Sequence, residues 1–251
     1  MTSLVGVLCR DGAVIGTDSA ATFSDGSIPT IEQPTEKIDI VSDRFIVAGT
    51  GAVGLGQRFC LRLKEASASR VFTSDVAPME ACRRLCESAV KDFISTGVRM
   101  GGYGALLAFS SGHHPNICEF AVQDLQPELL DINRLWYTSM GSAKPITDPF
   151  LGLMRRVFWQ EGPPTVSEAV FAVYWTLEHA IELNIGGVNG PIQIAVLEKG
   201  KTGQFSARKL PDEDFEEHRQ NVQGAYQALR GYQKGQAAAT AVDPIPEPPV
   251  R

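Results

Sequence analysis

Two apolar runs at the start of the chain decide the fold: Ser3-Leu4-Val5-Gly6-Val7-Leu8-Cys9 and Ala13-Val14-Ile15-Gly16-Thr17, with Asp11-Gly12 between them. Both runs are rich in the aliphatic and β-branched residues that favour strands, and Asp-Gly is typical of tight hairpin turns. The sequence therefore predicts that the chain opens with an antiparallel hairpin. A second strand pair is predicted at residues 37–41 and 44–48.

The remaining elements segregate by type instead of alternating. A polar segment at residues 24–36 separates the first two strand pairs, and a capping box at Thr165–Glu168 predicts the start of a helix. The other predictions are helices at residues 53–67, 76–95, 149–160, 165–184 and 212–231 and strands at residues 104–109, 117–123, 135–139, 192–197 and 205–210. Because a parallel α/β sheet would alternate strand with helix, we predict an α+β fold: a four-layer αββα sandwich of two stacked antiparallel sheets flanked by helices.

The domain organisation follows from the same pattern. Residues 1–231 are predicted to form a single domain, and residues 232–251 a flexible tail. The tail contains Pro-Ile-Pro-Glu-Pro-Pro at residues 244–249, and proline-rich segments of this kind are extended. We expect residues 236–251 to be extended and poorly ordered.

Composition and charge exclude several classes of protein. Hydrophobic residues make up 43% of the chain and charged residues 21%, as in ordinary globular proteins. The net charge of −6 lacks the basic footprint of a nucleic-acid binder, and the apolar runs are shorter than the roughly 20 residues that span a bilayer. No basic segment precedes the first apolar run, as a signal peptide would require. We expect a cytoplasmic protein that binds neither nucleic acid nor membrane.

The start of the chain offers a nucleophile. Thr2 is small enough for Met1 to be removed, which would leave a hydroxyl and a free α-amine on the same residue. Such an amine has a pKa of about 7.7–8.0, so part of it is unprotonated near neutrality and can take the hydroxyl proton. Thr2 could therefore act as a nucleophile that carries its own base.

Two charged residues are predicted to lie beside Thr2. Asp18 ends the strand that pairs with the first strand, and Lys37 begins the next strand pair. A cation near the amine lowers the pKa of the amine, and a carboxylate can orient that cation. The sequence thus predicts Thr2, Asp18 and Lys37 at one end of a sheet.

Four segments carry a resemblance to a known family: Thr2-Ser3-Leu4-Val5-Gly6-Val7, Gly16-Thr17-Asp18-Ser19-Ala20-Ala21-Thr22, Glu36-Lys37-Ile38-Asp39-Ile40 and Ile46-Val47-Ala48-Gly49-Thr50-Gly51. Their succession resembles the proteasome β-type subunits of the N-terminal nucleophile (Ntn) hydrolases. It is most similar to the bacterial proteasome homologues, in particular the group described from β-proteobacteria. The resemblance extends over about residues 2–210, with a spacing between Asp18 and Lys37 a few residues longer than usual.

The resemblance implies the role of each site residue. Thr2 is the nucleophile, Lys37 tunes the amine, Asp18 holds Lys37, and the backbone amide of Gly51, favoured over that of Gly49, forms the oxyanion hole. The chain would then be a threonine-type endopeptidase, a hydrolase that needs no cofactor or metal.

Two later motifs match the family less fully. In Ser139-Met140-Gly141-Ser142, the resemblance suggests Ser139 for the polar network around the amine. In Glu182-Leu183-Asn184-Ile185-Gly186-Gly187, Glu182 takes the place of a family aspartate, and Ile185 stands where the family has serine. The chain therefore departs from the family where a second hydroxyl is usual.

The resemblance also implies partners. Identical subunits would assemble into stacked rings whose active sites face an internal chamber. The substrate would be an unfolded polypeptide, and a separate ATP-dependent unfoldase could deliver it.

Two alternative functions stay open on the sequence. A ring-forming scaffold with weak or no catalysis would explain the departure at Ile185. A dinucleotide-binding oxidoreductase is suggested by Gly49, Gly51 and Gly54, which form a GxGxxG motif between a strand and a helix, with Asp75 further on. Residues 71–72 are too short for the strand that should carry that acid, which disfavours the oxidoreductase. Cys82 and Cys86 lie one helical turn apart, but no matching pair completes a metal site.

Overall fold

The structure is a computed structural model that describes residues 2–25, 28–183, 187–200 and 203–239, with the backbone only for residues 22–32 and 233–239. The chain divides into two compact units, Met1–Pro211 and Asp212–Arg251. The first unit thus ends before residue 231, the predicted end of the domain. No helix in the described ranges has the length and hydropathy to cross a membrane.

In its described residues, the first unit contains twelve strands and four helices. The strands are β1 (Ser3–Leu8), β2 (Gly12–Thr17), β3 (Ala20–Asp25), β4 (Ile28–Pro34), β5 (Ile38–Val41), β6 (Phe45–Gly51), β7 (Tyr103–Ser111), β8 (His114–Phe120), β9 (Pro127–Leu129), β10 (Tyr137–Gly141), β11 (Gln193–Lys199) and β12 (Phe205–Lys209). The helices are α1 (Val53–Ala68), α2 (Pro78–Ser95), α3 (Lys144–Phe158) and α4 (Val166–Glu182). The second unit consists of a 3₁₀ turn, Asp212–Phe215, and the helix α5 (Glu216–Ala239).

Ten of these strands form two stacked five-stranded sheets, and β3 and β4 form a separate two-stranded sheet. The first has the order β10-β1-β2-β11-β12, the second has the order β5-β6-β7-β8-β9, and all strand pairs in both are antiparallel. Helices α3 and α4 pack on the first sheet, and α1 and α2 pack on the second. This arrangement confirms the predicted αββα sandwich.

The alternation of side chains along the strands explains the layers. In β6, Phe45 and Val47 belong to the core between the second sheet and its helices, together with Phe59 of α1 and Leu85 of α2. In β1, Gly6 faces the other sheet, because a Cβ there would lie 3.2 Å from a methyl group of Leu106. The opening hairpin is thus buried on both faces.

Several predicted boundaries were wrong. The polar segment at residues 24–36 holds much of the hairpin β3–β4, and a short strand, β9, lies where turns were predicted. Polarity misled the prediction because this hairpin forms a two-stranded sheet outside the main pair.

The helix ends also differ from the sequence prediction. Helix α2 begins at Pro78, two residues later than predicted, and has no side-chain cap. Helix α3 begins at Lys144. Pro149, the predicted start of this helix, lies inside it. Helix α5 runs to Ala239, so residues 236–239 are helical, not extended; the rest of the predicted tail lies outside the described residues.

The capping box of α4 is present as predicted. The Thr165 side chain accepts a hydrogen bond from the main-chain N–H of Glu168, and the Glu168 carboxylate accepts one from the main-chain N–H of Thr165. Hydrogen bonds from the Thr165 backbone and hydroxyl lower the pKa of Glu168. The helix that covers β1 and β2 therefore starts at a defined residue.

Candidate active site

The strand register places the chain start between two other chain segments. Strand β1 lies between β2 and β10; Leu4 pairs with Thr17, and Ser3 pairs with Gly141. Because both neighbours are antiparallel to β1, the residue after β2 and the residue after β10 flank Thr2. Thr2 itself is only 9% exposed.

Asp18, the residue after β2, is the centre of this cluster. Its side chain is fully buried, and Oδ1 accepts hydrogen bonds of 2.8 Å from the main-chain N–H of Ser3 and from Nζ of Lys37. Oδ2 accepts hydrogen bonds from the main-chain N–H groups of Ala20, at 3.0 Å, and Asn189, at 3.4 Å. Buried carboxylates are stable only when paired and hydrogen-bonded, and here both oxygens are satisfied.

Lys37 brings a positive charge to the chain start. It precedes β5 in the second sheet, and its side chain is 8% exposed. The Nζ atom of Lys37 and the main-chain nitrogen of Ser3 each lie 2.8 Å from the same oxygen, Oδ1 of Asp18. The distance between the two nitrogens is therefore at most twice 2.8 Å. The structure thus brings Thr2, Asp18 and Lys37 together across the two sheets.

Ser142 contacts Thr2, and the sequence did not predict this contact. The main-chain nitrogen of Thr2 donates to Oγ of Ser142 at 3.3 Å, and this hydroxyl donates to the carbonyl oxygen of Thr2 at 3.3 Å. Gly141 permits this approach: its φ is +92°, and a Cβ there would lie 2.0 Å from the Thr2 carbonyl oxygen. Ser142 belongs to the Ser139–Ser142 motif, but only the register of β1 with β10 identifies it as the residue opposite Thr2.

Ser139 occupies a different environment from the one expected. It pairs with Val5, and its hydroxyl donates to Asp148 and accepts a hydrogen bond of 2.7 Å from the Thr147 hydroxyl. These contacts tie β10 to helix α3. The Ser139 side chain thus contacts helix α3, whereas Ser142 contacts Thr2; a role of Ser139 in the polar network around the amine stays a prediction.

Gly51 ends β6 in a conformation that requires glycine. Its φ is +109°, and a Cβ there would lie 2.2 Å from the carbonyl oxygen of Gly102. A Cβ on Gly49 would instead lie 2.6 Å from the hydroxyl of Tyr103. Gly51 is exposed, so its surroundings are open to a ligand. Its role in an oxyanion hole stays a prediction.

Glu182 is not brought into the Asp18 cluster. It is the last residue of α4 and exposed, and it forms no hydrogen bond or ion pair with any other described residue. Ile185 lies outside the described residues. The Glu182 side chain lies in solvent at the end of the helix, so the role implied by the family aspartate stays a prediction.

The fold contradicts the alternative of a dinucleotide-binding oxidoreductase. Gly49, Gly51 and Gly54 lie between β6 and α1, but β5, β6 and β7 are antiparallel neighbours rather than parallel strands of a βαβ unit. Asp75 lies in the loop between α1 and α2, with no strand to carry it. Gly51 permits a close contact with the Gly102 backbone and Gly49 a close contact with the Tyr103 side chain, whereas a Cβ on Gly54 would meet no atom within 4 Å.

The cysteine pair has a packing role. Cys82 and Cys86 are buried in the core beneath the second sheet, beside Cys118 of β8. Burial raises the pKa of the Cys118 and Cys86 thiols, which keeps them protonated. Within the ranges the structure describes, no group of three or more His, Cys, Asp or Glu side chains is arranged to hold a metal ion.

Comparison with known proteins shows which proteins the chain is similar to. The model of the proteasome subunit family matches residues 2–123, and no curated protein matches the chain in sequence. Among solved structures, a Gly-1 mutant of Anbu from Hyphomicrobium sp. strain MC1 is similar, with a TM-score of 0.66 and 16% identity over 98% of this chain and 99% of that one. This likeness shows the fold; neither comparison tests the narrower resemblance to the β-proteobacterial group. The family match over residues 2–123 and the shared fold support the resemblance of this chain to proteasome β-type subunits.

Proposed function

We propose that the protein is an N-terminal threonine endopeptidase subunit. The observation that carries the proposal is the buried carboxylate of Asp18, which joins the backbone beside Thr2 to the ammonium of Lys37. A buried ion pair of this kind costs desolvation energy and is weak evidence for stability alone. Its place at the chain start therefore favours a catalytic role.

The proposed reaction is acyl transfer. Once Met1 is removed, the α-amine of Thr2 takes the hydroxyl proton while Oγ attacks the carbonyl carbon of the peptide bond. The main-chain N–H of Gly51 stabilises the oxyanion of the tetrahedral intermediate. The protonated amine then gives its proton to the leaving nitrogen, the C–N bond breaks, and an ester on Thr2 remains. Water, deprotonated by the same amine, hydrolyses the ester.

The neighbouring side chains tune the amine. The Lys37 ammonium disfavours a second positive charge nearby, so it lowers the pKa of the amine and keeps a base available near neutral pH. Asp18 keeps this ammonium in place. Ser142, at 3.3 Å from the Thr2 nitrogen, orients the amine. The chemistry needs no cofactor or metal.

The family also suggests the assembly. We propose that identical subunits form stacked rings that enclose the active sites and degrade unfolded polypeptides, with a separate ATP-dependent unfoldase, in the cytoplasm. Leu153, Val157 and Phe158 on helix α3 are each about half exposed, which suits contacts between subunits.

The test begins with the chain start. The intact mass of the purified protein should lack one methionine, and the protein should hydrolyse an unfolded protein substrate. Thr2→Ala should lower the rate by roughly 10³-fold or more, because the nucleophile is lost. Thr2→Ser, which keeps a hydroxyl, is the matched control and should retain measurable hydrolysis. A mature protein that begins with Met1, or unchanged hydrolysis in Thr2→Ala, would contradict the proposal.

A second candidate is a ring-forming scaffold without peptidase activity. The observation that favours it is Glu182, which is exposed and not part of the Asp18 cluster. A scaffold would form the same rings but would give no covalent adduct with a threonine-directed boronate. Adduct formation measured by intact mass separates the two functions.

A further inference from the structure

The chain leaves the Asp18 cluster at Ser19 and returns to it at Thr35. We call the place where these two residues meet the neck. After Asp18, the chain runs through the hairpin β3–β4 and comes back at Thr35, two residues before Lys37. At the neck, the main-chain N–H of Thr35 donates to the carbonyl oxygen of Ser19 at 2.8 Å. The position of Lys37 relative to Asp18 therefore depends on how this neck is closed.

One side chain from the first sheet closes the neck. Gln193 begins β11 and pairs with Thr17, the residue before Asp18. Its Oε1 accepts a hydrogen bond of 3.0 Å from the main-chain N–H of Lys37. Its Nε2 donates to the carbonyl oxygen of Thr35 and to Oγ of Ser19, both at 2.6 Å.

The three contacts determine the orientation of the amide. A main-chain N–H can only meet an acceptor and a carbonyl oxygen can only meet a donor, so the side chain needs one of each at its tip. Glutamate would lack the donors, and alanine would lack both. Ser19 is held in turn, because its hydroxyl donates to the carbonyl oxygen of Pro191.

We propose that Gln193 is a positioning residue for Lys37. The Lys37 ammonium lies on a flexible four-carbon stem, so its contact with Asp18 at 2.8 Å requires a well-placed main chain. Gln193 anchors that main chain at the nitrogen of Lys37 itself. This inference rests on the proposed function, in which the Lys37 charge lowers the pKa of the Thr2 amine.

The experiment compares Gln193→Ala and Gln193→Glu with Gln204→Ala in the full-length protein. Gln204 is exposed and lies in the turn at the other end of β11, so it controls for a change in the same hairpin. The first readout is hydrogen exchange at the Lys37 amide, which needs no catalytic activity. We expect about 10-fold faster exchange in Gln193→Ala, because the amide loses its acceptor. In Gln193→Glu the acceptor remains, so exchange at this amide should change less than in Gln193→Ala.

The second readout is the titration of the Thr2 amine. We expect kcat to fall about 10-fold in Gln193→Ala with little change in KM, and the acid limb of the pH profile to move to higher pH. The sign follows from the cation: when Lys37 moves away, the amine keeps its proton to higher pH. The same shift should appear in the pH dependence of amine acetylation, measured by mass spectrometry. Gln204→Ala should change neither quantity.

Two results would overturn the inference. Unchanged exchange at the Lys37 amide in Gln193→Ala would show that Gln193 does not hold this residue. A lower kcat with an unshifted acid limb and an unshifted amine titration would show a merely structural role. If the unsubstituted protein hydrolysed nothing, the proposed function would fail, while exchange and acetylation would still decide the role of Gln193.

Discussion

Two ion pairs in the first unit have nearly the same length and very different surroundings. Lys37 and Asp18 are 2.8 Å apart with side chains 8% and 0% exposed, whereas Arg208 and Glu198 are 2.9 Å apart with side chains 52% and 36% exposed. The first pair connects the two sheets at the chain start, and the second connects neighbouring strands of one sheet. Length alone therefore says little about what an ion pair does; burial and additional partners distinguish the two.

The physical reason is desolvation. Water screens the exposed pair, so its attraction is weak and it can separate at little cost. The buried pair has lost its water, and removal of one partner leaves an uncompensated charge in the interior. The difference gives three predictions, described here from the largest expected effect to the smallest.

Asp18→Asn should have the largest effect. The substitution keeps the shape but leaves the Lys37 ammonium buried without its counter-charge, so we expect the free energy of unfolding to fall by about 3–5 kcal/mol. Hydrolysis should be abolished as well, because Lys37 is no longer held at the chain start. Chemical denaturation and a peptidase assay measure the two effects. A loss of stability no larger than that of an exposed pair would remove the contrast.

Ser142→Ala should have an intermediate effect, and it extends the contrast to two hydroxyls: Ser142 is exposed just after β10, and Ser139 is buried within β10. Because Ser142 contacts the Thr2 nitrogen, we expect kcat to fall about 10-fold with little change in stability. Ser139→Ala is the matched control: its hydroxyl binds Asp148 and Thr147, so it should lower the free energy of unfolding by about 1–3 kcal/mol and affect kcat less. A stronger effect on kcat from Ser139→Ala than from Ser142→Ala would show that Ser139, and not Ser142, acts on the Thr2 amine.

Glu198→Gln should have the smallest effect. Loss of the exposed contact with Arg208 should change the free energy of unfolding by about 0.2–1 kcal/mol, and high salt should reduce the difference further. The hydrolysis rate should stay the same, since this pair lies away from the chain start. Denaturation at low and high ionic strength gives the comparison with Asp18→Asn. Equal effects from the two substitutions would mean that burial does not distinguish the pairs.

Local patterns in the sequence predicted much of the fold. The Asp11-Gly12 turn between two apolar runs predicted the first hairpin, and the Thr165–Glu168 capping box predicted the start of α4. Both signals involve residues close in sequence, for which propensity and local hydrogen bonding are sufficient. The polar hairpin β3–β4 gave no such signal, because its residues resemble those of a loop.

The candidate site was predicted in part. Thr2, Asp18 and Lys37 could be named from strand ends and from the family resemblance, and the structure brings them together. Ser142 could not be chosen over Ser139, because a shift of strand register exchanges which residue lies opposite Thr2. Gln193 carried no signal at all, since a glutamine at a strand start has no chemistry of its own.

The sequence alone determined the residue types at the chain start, the periodicity of strands and helices, and so the layered αββα architecture. The tertiary structure alone decided which polar groups meet: the N–H groups of Ser3 and Asn189 and the Lys37 ammonium on Asp18, the Ser142 hydroxyl on Thr2, and the Gln193 amide between Ser19, Thr35 and Lys37. These contacts join residues far apart in the chain, so they depend on strand register and sheet stacking. No local pattern encodes them, because the free energy that holds them comes from burial of the whole core.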